Sequence, residues 1–323
     1  MIDFIKIAVQ GSHSSLLDHP EINFHYSGAV DTGEAFTYPM TMNRRYKAMA
    51  FKLIEGRILV NGSIHKYWQS GRNWKDFDLF QLRTAIESFC NEFGVDASLA
   101  RIHNLEFGVN INPPFEATLS NIKQIFVSYK GKPFELMESK GKKCIGVVCK
   151  FSQYQIKIYS KTLQYRLTEN VLRIEIKTKK MQRITVVPMR LKDITEFDNF
   201  KYFKSELVRV VEDIIVLDDS LQGLSKKQMQ FLIEVSNPNY WMSLSKGNRY
   251  KKKNKYKRLV EAHSKQKLQQ ELIRLVEGKG DFLTAPERES LGHNITPSII
   301  GKKVASIREG GTLLSQYEKS RFW

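Results

Sequence analysis

The chain has 323 residues, 41% of them apolar, with 51 Lys and Arg against 34 Asp and Glu and a formal net charge of +17. That is enough apolar material for a buried core, which excludes a wholly disordered chain, and no run approaches the ~20 apolar residues of a membrane span. The charge favours a polyanionic partner, nucleic acid before a membrane surface. Three cysteines (Cys90, Cys144, Cys149) with no Cys-x-x-Cys argue against a disulfide scaffold or a thiolate zinc site and fit a reducing cytoplasm. The opening MIDFIKIAVQGSHSS sets Asp3 ahead of a strand-like run without a basic n-region, so no signal peptide is expected.

Residues 1–204 read as strand-rich. RILVNGSIHKY (57–67) alternates polar and apolar residues, the period of a half-buried strand. DLFQLRTAIESFCNEFG (78–94) has helical spacing and stops at Gly94. HNLEFGVNINPP (103–114) reads as a strand closed by Pro113 and Pro114. TLSNIKQIFVSYKGKPF (118–134) reads as a helix that runs out at Gly131 and Pro133. KKCIGVVCKF and YQIKIYSKTLQY (142–165) read as a hairpin or consecutive strands, and NVLRIEIKTKKM (170–181) as another alternating strand. From Ser205 onward the pattern is mainly helical, and no internal repeat is present. The expected fold is α+β: a curved antiparallel sheet with flanking helices over 1–204, a helical basic region over 205–280 and a C-terminal tail over 281–323.

The charge is concentrated. KGNRYKKKNKYKR (246–258) holds eight basic residues and no acidic one, and extended to Lys267 the segment carries +9 of the +17. Lys246, Arg249, Lys251, Lys252, Lys253, Lys255, Lys257 and Arg258 are candidate phosphate contacts, salt-sensitive and blind to base sequence. Tyr250 and Tyr256 are interleaved as candidate stacking partners for bases or sugars. The competing interpretation is a solvated helix face.

Period-2 parity sorts the strands into two faces. Tyr154, Ile156 and Ile158 oppose Gln155, Lys157, Tyr159 and Lys161; Leu172, Ile174 and Ile176 oppose Arg173, Glu175 and Lys177. Leu105, Phe107, Val109 and Ile111 oppose Asn104, Glu106, Gly108 and Asn110, and Ile58, Val60 and Ile64 oppose Asn61, Ser63 and His65. On one shared sheet the open polar face would carry His65, Glu106, Asn110, Tyr159, Lys161, Arg173 and Glu175. That set combines oxygen ligands, an imidazole, a phenol and cations, as divalent-metal phosphoryl transfer requires. An antiparallel sheet wetting one face would show polar residues too. Asn and Gly in strict alternation are poor strand formers, which favours a ligand approaching closely. His103 falls on the apolar side of its strand, where a satisfied core or interface histidine is expected. His13, His19 and His25 match no common ligand spacing.

The order Glu-x-x-x-Asn strand, Ile-x-Ile-Tyr-x-Lys strand, Leu-Arg-Ile-Glu-Ile-Lys strand resembles the catalytic core of rolling-circle replication initiators. The resemblance is nearest to the Rep-trans plasmid type and the gene II-type replication proteins of filamentous phages. IKIYSK (156–161) is similar to the tyrosine strand, LRIEIK (172–177) to the strand after it, and NLEFGVNI (104–111) to the acidic strand, with Asn110 where the family has Asp. GSIHKYWQSGRN (62–73) is similar to the family's Gly/Ser/Lys segment with its downstream Gly-x-Asn. The resemblance spans about residues 45–200 and lacks a His-hydrophobe-His pair. It implies that 1–204 is a nicking and joining domain acting on single- or double-stranded origin DNA. Tyr159 would be the nucleophile, leaving a 5′-phosphotyrosyl enzyme and a free 3′-OH for a host polymerase, with a host helicase as a further partner. Lys161 and Arg173 would assist, Lys157 would join the DNA contacts, and Glu106, Asn110, Glu175 and His65 would hold Mg²⁺ or Mn²⁺. A homodimer is compatible with the resemblance.

Three other readings stay open at this level. A non-enzymatic DNA-binding replication or regulatory protein would keep the basic helices and need no metal. A tyrosine recombinase would want a C-terminal helix tyrosine, for which Tyr317 is the candidate, and a metal-dependent nuclease would leave no protein–DNA adduct. An RNA-binding module ranks last for want of an aromatic RNA-recognition strand.

Overall fold

A computed structural model gives the structure of the protein and describes residues 1–9, 16, 19, 20, 22, 25–27, 41–54, 57–137, 143–185 and 187–285. Its first elements are strands β1 (Ile2–Val9), β2 (His25–Ser27), β3 (Thr41–Tyr46), β4 (Met49–Ile54) and β5 (Arg57–Ser63), then helices α1 (Ile64–Trp68) and α2 (Leu79–Phe93). There follow β6 (Arg101–Ile111), α3 (Leu119–Ile125), β7 (Phe126–Tyr129), β8 (Lys132–Pro133), β9 (Glu135–Leu136), β10 (Gly146–Lys150), β11 (Tyr154–Ser160), α4 (Lys161–Tyr165) and β12 (Leu172–Thr178). The last part holds α5 (Phe197–Asp213), β13 (Ile214–Val216), α6 (Lys226–Ser236), α7 (Pro238–Ser243), α8 (Lys246–His263) and α9 (Leu268–Thr284).

The architecture is α+β. One sheet of ten strands runs β2-β3-β4-β5-β1-β6-β12-β11-β10-β9, and every pairing in it is antiparallel. The register puts Ile5 opposite Leu105, Ile7 opposite Val60, Phe107 opposite Ile176 and Ile176 opposite Ile156. Directly paired residues share a face, so these side chains make one continuous apolar surface. Helix α5 covers it with Phe200, Phe203, Leu207, Val210 and Val211, one helical stripe, and the Phe107 and Phe203 rings lie 4.8 Å apart. Helix α9 adds Leu268, Leu272 and Val276 to the same core. Helix α2 starts at a reciprocal Asp78/Gln81 capping box and ends on Gly94 in the left-handed region, φ 63°, as its sequence signals require.

A second, smaller core forms where β13, β7 and β8 make a three-stranded sheet. Val127 and Ile215 pack there against Phe231, Val235, Trp241, Tyr256, Leu259 and Val260 from α6, α7 and α8. The Trp241 indole nitrogen donates to the Val235 carbonyl at 2.8 Å, so the ring is buried without an orphaned donor. Residues 204 and 205, the domain boundary expected from sequence, lie within α5, and Met1–Pro286 forms one compact unit.

Three local expectations are corrected. The alternation of 57–67 ends at Ser63, whose hydroxyl caps α1, so His65 is helical rather than on a strand. The segment 118–134 changes from helix to strand at Phe126, where Phe126–Tyr129 pairs with β13. His103 is exposed because the β1–β6 register slips between Lys6–Asn104 and Ile7–Ile102, a bulge that turns it off the apolar face. His13, Tyr317 and the tail beyond residue 285 lie outside the described residues. Among the described residues no helix is long and apolar enough to cross a membrane.

Trp241 is the largest fully buried side chain of the second core. Trp241→Ala is expected to lower unfolding free energy by about 3–5 kcal/mol, read as a reduced urea midpoint. A change under about 1 kcal/mol would mean this core contributes little.

Candidate functional site

Four adjacent strands, β1, β6, β12 and β11, present their polar residues on the face away from α5. Cross-strand register sets Arg173 between Asn110 and Tyr159, Glu175 between Gly108 and Lys157, and Lys177 between Glu106 and Gln155. Glycines stand opposite two of the candidates: Gly108 faces Glu175 and Gly146 faces Tyr159. A Cβ on Gly108 would lie 2.5 Å from the Glu175 Cβ, and one on Gly146 would lie 2.3 Å from the Tyr159 Cβ. Only glycine fits at either place, so its presence mid-strand is a packing requirement of the site.

The side chains form one hydrogen-bonded network. Glu175 accepts from Tyr159 Oη at 3.1 Å and Arg173 Nε at 2.7 Å on Oε2, and from Lys157 Nζ at 2.7 Å on Oε1. Glu106 accepts from the same Lys157 Nζ at 2.9 Å and from Lys177 Nζ at 2.5 Å. Arg173 donates to Asn110 Oδ1 at 3.1 Å and lies 3.5 Å from an Asp3 oxygen. Asp3 accepts from Ser63 Oγ and, at 2.6 Å, from Asn73 Nδ2. Asn73 Oδ1 accepts from Lys161 Nζ at 2.7 Å and Tyr165 Oη at 2.6 Å.

The polar face is therefore not open, as parity alone suggested. Asn73 reaches onto it from the segment after α1, and Asn110 Nδ2 donates to the Trp74 carbonyl at 2.8 Å. Tyr159 is 6% exposed, Glu175 1% and Lys161 0%. A cavity of about 230 Å³ remains, lined by Tyr159, Glu175, Glu106, Lys157, Lys66 and Gln164 among others. Lys161, expected on the tyrosine strand, is the first residue of α4, capped by Ser160, and its ammonium lies 5.0 Å from the Tyr159 ring centre. His65 stacks on Phe77 with ring centres 4.6 Å apart, and its Nε2 has no hydrogen-bond partner among the described residues.

Burial dominates the electrostatics. It raises the Tyr159 phenol well above its usual value, and the Glu175 charge adds to the effect, so the resting phenol is protonated. Burial would also raise Glu175, but Lys157 and Arg173 override it and hold that carboxyl well below the ordinary range. Glu106 is raised by burial and by the neighbouring Glu175 charge, which makes it the weaker acid of the pair. Lys161 is pushed down to about 7 by burial, with Arg173 adding repulsion. His65 is lowered well below its usual value by burial.

These residues do not fit a resident Mg²⁺ or Mn²⁺. Among the described residues no group of three or more His, Cys, Asp or Glu is placed to hold a metal. Both oxygens of Glu106 and of Glu175 already accept from cationic side chains. Of the other expected ligands, Asn110 faces Arg173, and His65 lies under Phe77. Lys157, expected to contact DNA, points between the two carboxylates instead.

The basic run forms α8, and its lysines are not equivalent. Tyr256, a candidate stacking residue, is 2% exposed; its hydroxyl donates to the Val216 carbonyl at 3.0 Å and accepts from Asp218 N at 3.1 Å. It is a core residue, which corrects the sequence expectation. Arg249 donates to the Lys130 carbonyl, Lys253 pairs with Asp213 at 2.7 Å, and Lys252 and Lys255 lie 5.6 and 4.2 Å from the Phe231 ring centre. Lys246, Lys251, Lys257 and Arg258 are exposed and make no ion pair among the described residues. Tyr250 stands among them 69% exposed.

Comparison with known proteins gives one solved structure to report. A rolling circle replication initiator protein from Geobacillus stearothermophilus is similar at 12% identity with a TM-score of 0.36, over 73% of this chain and 96% of that one. No protein-family model matches the chain. No curated protein matches it either.

Asp3 and Asn73 are the members of the network that strand parity misses. Asp3 sits in a bulge: the β1–β6 register slips between Ile2 and Ile5, so Asp3 and Phe4 both line the cavity instead of alternating. The Gly71-x-Asn73 pattern marks Asn73, whose role as bridge between Asp3 and Lys161 depends on contacts 70 and 88 residues away.

Lys161 supplies a pH test. Above pH 7 the folded protein has shed a proton that the unfolded chain keeps until about 10.5, so this group makes stability rise with pH across that window. The thermal midpoint of the wild type relative to Lys161→Met is expected to climb between those two pH values. A constant difference would show that Lys161 titrates normally.

Proposed function

We propose that this chain is a DNA-binding replication initiator of the rolling-circle type, with Tyr159 as the nucleophile that cuts and rejoins one strand. The observation that carries the reading is the Tyr159–Glu175 hydrogen bond at the cavity, on strands whose motifs resemble that family. In the reaction the Tyr159 oxygen bonds to phosphorus as the bond from phosphorus to the 3′ oxygen breaks. The enzyme becomes a 5′-phosphotyrosyl adduct, and the 3′ oxygen takes up a proton to leave as a hydroxyl. Glu175 orients the phenol and receives its hydrogen bond. Its own strong acidity makes it a poor proton store, so the phenolic proton must pass onward. Lys66 lines the cavity and would supply positive charge as the transition state gains negative charge. The energy of the broken ester is kept in the adduct, so the reverse attack reseals the strand.

The exposed face of α8 serves as the backbone anchor in this scheme. Lys246, Lys251, Lys257 and Arg258 would neutralise phosphates, and Tyr250 would lie against a sugar or base. One specific observation favours a second reading, a DNA-binding protein without enzymatic activity: the Tyr159 phenol is buried and protonated, and its neighbours are already ion-paired.

Incubation with single-stranded DNA labelled at its 3′ end, which stays with the 5′-phosphotyrosyl fragment, decides between them. Transfer of label to the wild type, and its loss in Tyr159→Phe, is the expected result; absence of any adduct with folded wild type selects the second reading, and an adduct that survives Tyr159→Phe assigns the chemistry elsewhere. Independently, the double change Lys257→Ala and Arg258→Ala is expected to lower the slope of log affinity against log salt by about 2 units for duplex DNA. An unchanged slope would place the DNA on another surface.

A further inference from the structure

A divalent cation held by Glu106 and Glu175 would sit between their facing carboxylate oxygens. That place is filled. Lys157 Nζ lies 2.7 Å from Glu175 Oε1 and 2.9 Å from Glu106 Oε2. These are N–H···O separations, whereas Mg²⁺ needs oxygens at about 2.1 Å. Lys157 is paired directly with Glu175 across β11 and β12, and its ammonium reaches over β12 to Glu106 on β6, so one side chain ties three strands together. The other carboxylate oxygens are taken by Arg173, Tyr159 and Lys177.

We infer that Lys157 is a built-in counter-cation that occupies the divalent-metal position between Glu106 and Glu175 and keeps metal out. The charge count agrees. Asp3, Glu106 and Glu175 supply three carboxylates, and Lys157, Arg173 and Lys177 supply three paired cations. A divalent ion added to this set would leave buried positive charge uncompensated, which is unfavourable at low dielectric. Placement also favours Lys157 over a mobile ion. Its amine is delivered by an interior strand of the sheet and has two acceptors waiting, so binding requires no further loss of translational freedom. The inference deepens the proposed reading of this site, since it makes the cation beside Tyr159 part of the chain.

The test needs neither DNA nor Tyr159. Mn²⁺ binding to the full chain is measured by electron paramagnetic resonance or calorimetry for the wild type, Lys157→Met, Lys157→Gln and Lys157→Arg, with folding checked by thermal melts. The wild type and Lys157→Arg, which retain the positive charge, are expected to bind Mn²⁺ weakly, with no effect of adding Glu106→Gln. Lys157→Met or Lys157→Gln is expected to gain a saturable site at least about tenfold tighter, and Glu106→Gln in that background should remove it. Wild-type Mn²⁺ binding that Glu106→Gln weakens would overturn the inference. So would folded Lys157→Met and Lys157→Gln proteins that bind no better than the wild type. A failed label-transfer experiment would leave this result untouched, so the two ideas fall separately.

Discussion

Two opposite charges lie two residues apart on β12, both almost wholly buried, and much of the molecule is arranged around that fact. Removing Arg173 and Glu175 from water costs several kcal/mol per ion, and only close, complete pairing recovers it. The recovery is visible in the neighbours. Lys157 and Tyr159 come from β11, Asn110 from β6 and Asp3 from a bulge in β1, each meeting one of the two charges. Gly108 keeps β6 close beneath Glu175, and Gly146 does the same for Tyr159. The network also dictates topology. Asp3 can reach Arg173 only because β1 lies directly beside β6, which brings the chain's first strand to the middle of the sheet.

The same burial sets the chemical state of the site. A phenol in water titrates near 10; here low dielectric and a neighbouring carboxylate stabilise the neutral form. The hydrogen bond to Glu175 orients the hydroxyl without activating it. The segment carrying Asn73 closes over this network. That segment is tied at several points: Asn73 to Asp3, the Trp74 carbonyl to Asn110, and Asp76 to Lys279 of α9 at 2.9 Å. Through the last of these, a helix of the opposite layer is joined to the cover of the site.

Helix α8 shows how tertiary packing divides a uniform charge run. Half of the helix is claimed by the smaller core: Tyr256, Leu259 and Val260 face Phe231 and Trp241, and Lys252 and Lys255 lay their stems and charges over an aromatic ring. The other half keeps its ammonium and guanidinium groups in solvent. A run of eight basic residues thus supplies a smaller set of outward charges with one exposed tyrosine among them.

Strand parity, a local property of the backbone, correctly grouped Glu106, Asn110, Tyr159, Arg173 and Glu175 on one face, because successive side chains of any extended chain must alternate. Charge and the position of the basic helix were legible for the same reason: they depend on composition over short windows. His65 and Lys161 were misplaced because each strand ends before them, at Ser63 and at Ser160, where a serine caps a short helix and the cap overrides alternation. What tertiary structure alone decided was whether the polar face meets water or protein, which lysines point outward, and which cation fills the space between the two glutamates. Those outcomes rest on Asp3, Asn73 and Lys157 meeting partners far away in sequence, and burial is a sum over everything that packs nearby, a quantity no short window contains.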